Sequence, residues 1–156
     1  MNLFYTSDNP QFAAQHQCDK HVVKMILETA QMLSTAHRLT ETPQAPFVYK
    51  MTHANHPSTK WLRSSQIAYK HGLQHLRALF AEYTHRYGKR HATERLLPHL
   101  SQVPDALPDL PFVEPPQCMY DECRGLDTIA AYRDYYRVRE NEIDMRWTNR
   151  RRPEWL

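Results

Sequence analysis

The chain is poor in glycine. Its 156 residues hold only Gly72, Gly88 and Gly125, and hairpin signals of the Asn-Gly or Asp-Gly kind are scarce. That argues against a β architecture built on tight turns. No apolar run approaches the roughly eighteen residues of a membrane span. The opening residues, Met1 to Asp8, lack the basic start and apolar stretch of a secretory leader. Cysteine is equally sparse. Cys18, Cys118 and Cys123 are an odd number, and without a leader they read as reduced thiols of a cytoplasmic protein. Four residues separate Cys118 from Cys123, whereas a zinc site wants a cleaner pair of ligand pairs. Neither a metal nor a cofactor is therefore expected. The net charge of +3 permits nucleic-acid binding without requiring it.

What is present favours helices. Hydrophobic content is 41%, ordinary for a globular chain, and the length suits one all-α domain over residues 1–156, a helical bundle with long loops. Leu3 to Thr6 reads as a short extended piece. Ser7-Asp8-Asn9-Pro10 opens a short helix to about Gln15. The next helix runs from about Asp19 to Arg38, with Asp19 as N-cap and Val22, Met25, Ile26, Met32, Leu33 and Ala36 at helical spacing. Residues 41–56 contain Pro43 and Pro46 and read as a loop. Pro57 and Ser58 open a long helix to Tyr87, with Gly88 as its C-cap and Gly72 marking a kink or a close contact. A shorter helix over 91–102 is disturbed by Pro98. The proline-rich stretch 103–117 reads as a wrapping loop, and Asp127 caps a last helix to about Trp147.

Four segments carry candidate chemistry. On the second helix His21, Lys24, Glu28, Gln31 and Thr35 are spaced by three and four and form one stripe. A carboxylate held beside a lysine and a histidine can take a proton or stabilise a cation, but a polar stripe is also what any solvated helix face displays. Asp19 and Lys20 flank it. The second segment, with Asn55, His56, Lys60 and Arg63, places polar groups where a loop enters a helix, suiting either phosphate binding or simple capping. In the third, Arg86 and Lys89 stand among tyrosines at a helix end, fit for a nucleic-acid backbone or for dipole compensation. The fourth is the C-terminal stretch. There Tyr132, Tyr135 and Tyr136 share a face suited to core packing, and Arg150, Arg151 and Arg152 form a basic tail suited to backbone contact.

Asp19-Lys20-His21, followed seven residues after the histidine by Glu28, resembles phage endonuclease V, the pyrimidine-dimer DNA glycosylase. Asn55-His56-Pro57, the helix ending Arg86-Tyr87-Gly88 and the stretch Tyr132 to Tyr136 add further islands of similarity. The resemblance implies DNA as partner, with no membrane and no obligate protein partner, and base flipping as the mode of access. It implies Glu28 as catalytic carboxylate, supported by His21. In that family the nucleophile is the α-amine of an N-terminal threonine, which forms a Schiff base with the sugar. Here position 2 is Asn2, too large for usual methionine removal, so the corresponding amine is that of Met1. The family's arginines beside its glutamate fall at Leu27 and Gln31. The chain also looks like small proteins of tailed phages, which would place it in an infected bacterial cytoplasm. Two other readings stay open: a phage transferase that hypermodifies thymine in DNA, and a non-enzymatic protein binding nucleic acid or nucleotide.

Overall fold

Small polar side chains set the start of three of the helices. Asn9 accepts from the amides of Gln11 and Phe12 and opens α1, Pro10–His16. Ser65 caps α4, Gln66–Tyr87, through the amide of Ala68. Asp127 caps α6, Thr128–Glu140, through the amide of Ala130. By contrast α2, Asp19–Leu39, has Cys18 as its N-cap, which makes no side-chain cap bond. Its first amides are satisfied from afar: Cys18 N–H donates to the Tyr136 hydroxyl at 2.8 Å, and Asp19 N–H to the Arg146 carbonyl at 2.8 Å. Asp19 is thus the first helical residue, not the cap. Its carboxylate is free to bind groups from other elements.

The computed structural model describes residues 1–156 and is all-helical, with six α-helices, three short 3-10 turns and no strand. The expected long helix over 57–87 is broken. α3, Pro57–Leu62, stops at Arg63, and Ser65 adopts extended geometry (φ −160°, ψ 162°) before α4 begins. Serine competes for backbone hydrogen bonds and favours such a cap over a helix interior. The break folds α3 back on α4. Leu62 then rests against Gly72, where a Cβ would lie 2.6 Å from Leu62 Cδ1. Gly72 therefore serves close packing and α4 runs through it without interruption. Gly88 ends α4 in the left-handed region, φ 64°, as its position predicts. The expected helix over 91–102 is a 3-10 turn, Ala92–Leu96, followed by α5, Leu97–Leu100. The last helix stops at Glu140 rather than Trp147. The following residues still pack, with Trp147 donating from Nε1 to the His16 carbonyl at 3.0 Å.

Helices α1 and α2 both pack on α4, and α2 also meets α3. Twenty-eight buried apolar residues form one cluster, to which Ile26, Leu33, Leu62, Tyr69, Leu76, Tyr132 and Tyr136 contribute side chains closed to solvent. Residues 103–117 wrap around this core, tied by Trp61 Nε1 donating to the Val113 carbonyl and Gln66 N–H to the Pro108 carbonyl. The N-terminal segment is a surprise of placement. Asn2 to Ser7 are all buried, and Phe4 sits at φ 48°, so the segment is not a regular extended strand.

Candidate active site

The chain start is pinned in the interior by Asn2. Its Oδ1 accepts from the amides of Leu3 (2.8 Å) and Phe4 (3.4 Å), and its Nδ2 donates to the Cys118 carbonyl at 2.8 Å. The left-handed turn at Phe4 stores strain of order 1–3 kcal/mol. It lays the Phe4 ring on His21, with centroids 4.4 Å apart and planes 20° from parallel. Met1 is fixed further by Thr59, whose hydroxyl donates to Met1 Sδ at 3.5 Å. The outcome is an α-amine held 3.5 Å from Glu28 Oε2. Lys24, one turn earlier on α2, reaches Glu28 Oε1 at 3.6 Å. The Met1 and Glu28 side chains are only 3% and 15% exposed, against 67% for Lys24, so the carboxylate and amine meet in a sheltered spot.

His56, the N-cap of α3, accepts from the Ser58 amide at Nδ1 (3.2 Å). Its pKa is lowered, first by burial, then by the positive N-terminus and His53, with Glu28 pulling the other way. The ring is therefore neutral at neutral pH. With Nδ1 accepting, its proton sits on Nε2 as a donor. Met1 and His56 both line a cleft of about 800 Å³, closed on its far side by Gln117, Cys118, Tyr120, Arg124 and Tyr135.

No residue of the stripe expected on α2 lines the cleft. Glu28 lies beside it, through its contact with the Met1 amine and with Lys24 on its other oxygen; Gln31 is half-buried, and Thr35 turns to the backbone of Thr52. His21 does not line the cleft. It is buried, with Nδ1 2.7 Å from the Tyr136 hydroxyl, and its pKa is lowered to about 4 by burial and by Arg139, Lys24 and Lys20. It is a neutral prop under Phe4. Lys20, Asn55 and Lys60 are exposed, and Arg63 is half-buried at the end of α3.

A second polar cluster lies at the far end of α2. Arg86, closed to solvent, binds Glu82 at 2.7 Å, Asp19 at 2.9 Å and the Gln15 carbonyl at 3.1 Å. Arg150 binds Glu82 with Nε at 3.0 Å and Nη2 at 2.7 Å. Thr148 donates to Asp19 from its amide and its hydroxyl. Burial works to raise the Glu82 pKa, but the hydrogen bonds and charges of Arg150 and Arg86 outweigh it, and the net shift is downward. Asp19, Arg86 and Arg150 are thus engaged in fastening the C-terminal segment. Arg152 pairs with Glu140, while Lys89 and Arg151 are exposed.

Sequence reasoning missed the far wall of the cleft. Tyr135 was grouped with Tyr132 and Tyr136, which are fully buried, yet it is only half-buried and faces Tyr120 edge-on at 5.2 Å. The one sequence signal was the Gln117-Cys118-Met119-Tyr120 run following two prolines.

The chain is thus all-helical and holds an α-amine against a carboxylate beside an open cleft. The first 95 residues, which include Met1, Glu28 and His56, match the family model described as pyrimidine dimer DNA glycosylase, and the chain belongs to that family. The family is one of DNA glycosylases, so its substrate is DNA. No curated protein and no solved structure matches the chain. No helix is long and apolar enough to cross a membrane.

Proposed function

We propose that this chain is a DNA glycosylase that removes an altered pyrimidine, with the Met1 amine as nucleophile and Glu28 as the catalytic carboxylate. The observation that carries the reading is the 3.5 Å approach of the amine to Glu28 Oε2 in a sheltered site. In the reaction the Met1 ammonium first gives up a proton to water, and the freed amine lone pair attacks the sugar C1′. The C1′–N bond to the base breaks, and the base leaves with that electron pair and takes up a proton. Glu28 stabilises the cationic sugar as the bond breaks and accepts the proton that the amine sheds. The nitrogen lone pair then opens the C1′–O4′ bond, O4′ is protonated, and a Schiff base remains. His56, neutral with Nε2–H as donor, faces the same cleft and can hold a base carbonyl. His21 acts through Phe4, as a positioning residue.

DNA is gained by extruding the target nucleotide, since a paired base cannot reach a buried amine. The exposed Lys20, Lys24 and Lys60 supply phosphate contacts, and Asn55 and Gln31 polar ones. The amine beside Glu28 also favours a glycosylase over a thymine-modifying transferase.

The test is borohydride trapping on duplex DNA carrying an abasic site, with peptide mapping of the adduct, alongside base release from UV-irradiated duplex. A covalent adduct on Met1 is expected. Glu28→Gln should slow base release by about 10²–10⁴-fold, and a short N-terminal extension should abolish trapping. An adduct on a lysine, or full activity in Glu28→Gln, overturns the assignment.

A further inference from the structure

Near α6 and the end of the chain, surface cations come with anions: Arg137 pairs with Asp134, Arg139 with Glu142 and Arg152 with Glu140. The outer face of α4 is different. Its exposed residues Lys70, Gln74, Arg77, Ala81, Thr84 and His85 include no acid. The helix's one carboxylate, Glu82, is buried and already held by Arg86 and Arg150. Lys89 and Arg90 follow just beyond Gly88, and Arg95 a few residues on, all exposed. We infer that this face is a second DNA-binding surface, which holds the sugar–phosphate backbone of a duplex other than the one engaged at the cleft. The inference takes DNA as the partner and needs none of the amine chemistry.

Three observations carry it. The first is shape. A hollow of about 630 Å³ between α1 and α4 shares Arg77, Ala81 and His85 with a second of about 520 Å³. The second shares Arg90, Glu94 and Leu97 with a third of about 660 Å³. The three make one continuous groove along the helix. From Lys70 to His85 the helix offers about 22 Å of track. Duplex DNA carries one phosphate charge per roughly 1.7 Å of its axis, so several phosphates come within reach. The second observation is charge. Arg77 Nη2 donates to the Ser101 hydroxyl at 3.0 Å, and Arg95 Nη1 to the Ala92 carbonyl at 3.3 Å. Neutral partners thus steady both guanidiniums without cancelling their charge. Glu94 is the one carboxylate lining the groove that no cation holds, against Arg77, Arg90 and Arg95. The carboxamides of Gln11 and Gln74 line the first hollow, as neutral donors of the kind phosphate oxygens accept. No large apolar side chain between residues 68 and 109 is exposed, so the face suits a polyanion and not a lipid surface. The third observation is placement. Leu33 of α2 and Gly72 of α4 mark where the two helices meet. Glu28 lies about 140° round α2 from Leu33, and Arg77 about 140° round α4 from Gly72. Cleft and groove therefore turn away from that seam on opposite sides, and no residue lines both.

The test is capture of two duplexes by one protein. A short duplex is immobilised, saturated with the full chain and washed, and a second, labelled duplex is added. Wild-type protein should retain the labelled duplex. With about three phosphates neutralised, that retention should weaken about fortyfold over a fourfold rise in salt. Arg77→Gln, Arg90→Gln and Arg95→Gln combined should lower affinity for the second duplex about tenfold or more. Binding of the first duplex and the urea midpoint should stay as in wild type, since all three side chains are exposed. Lys at the same three positions keeps the charge and should recover most of the capture. No second duplex on wild-type protein overturns the surface. So does undiminished capture by the Gln variant, as a dimer bridging through two clefts would give. Equal loss of both duplexes would make α4 part of the DNA surface around the cleft, and failure of Lys to recover capture would remove the role of charge. Preference for phosphatidylserine vesicles over the second duplex at the same salt would assign the face to lipid, and overturns it as well.

Discussion

Asn2 occupies the position where the resemblance expects a nucleophile, and its side chain does something else. It spends one oxygen on two backbone amides and its nitrogen on the Cys118 carbonyl, which fixes the amine one residue before it. A reacting group displaced by about 1 Å can lose on the order of 10²-fold in rate. Asn2→Ala is therefore expected to lower kcat by tenfold or more while leaving KM for DNA within about twofold, since Asn2 is buried and touches no substrate. Asn2→Asp keeps the acceptor and loses the donor, and should fall between. Steady-state kinetics on irradiated duplex decide it; a change confined to KM would mean that Asn2 shapes the DNA surface instead. At this scale the register of Asp19, His21 and Glu28 could be read directly from the sequence. It was silent on His21 turning inward, because a histidine on an amphipathic helix reads the same whether it faces a substrate or a tyrosine hydroxyl.

Arg86 shows why elements are harder to read than residues. In the sequence it is a cation at a helix end, equally suited to a phosphate or a helix dipole. In the fold it joins the end of α4, the start of α2 and the C-terminal segment, because Glu82, one turn earlier, is also buried. The spacing of Glu82 and Arg86 is visible in the sequence; the interior location that makes the pair matter is not. Removing one partner strands the others, so Arg86→Ala should cost about 3–5 kcal/mol, read as a lower urea midpoint. Arg150→Ala, on a half-exposed residue with Arg86 still in place, should cost clearly less. Equal costs would show that the network is not centred on Arg86. The break between α3 and α4 was unreadable for a related reason. Ser64 and Ser65 favour a cap but do not forbid a helix interior, and the packing of Leu62 on Gly72 that goes with the turn is not visible in the sequence.

Across the molecule the all-helical class was legible, since scarce glycine and apolar positions at helical spacing leave little else. The cleft was not, because its two walls are separated by some sixty residues of helix and loop, from His56 to Gln117, and no local pattern joins them. The fold also distributes one titration widely. His16, His21, His37 and His75 each have a pKa lowered to about 4, with burial the largest cause in every case. In the unfolded chain each titrates near 6.5. Between those values the unfolded state binds more protons than the folded one, so folding stability is complete above about 6.5 and declines as pH falls toward 4. Glu82 contributes in a lower window, because its shift is downward from 4.5. Urea midpoints measured from pH 7 to about pH 5 should therefore fall steadily, above the range in which most carboxylates titrate. Replacing His37, which is remote from the amine and bonded to Tyr69 and Thr42, with Gln should flatten part of that decline without altering the pH profile of base release. His21→Gln should flatten it too, but with a loss of kcat, because the Phe4 ring that rests on His21 holds the Met1 segment in place. A midpoint constant over this range would mean that the four rings titrate alike in the folded and unfolded protein, and the packing around them would need to be redrawn.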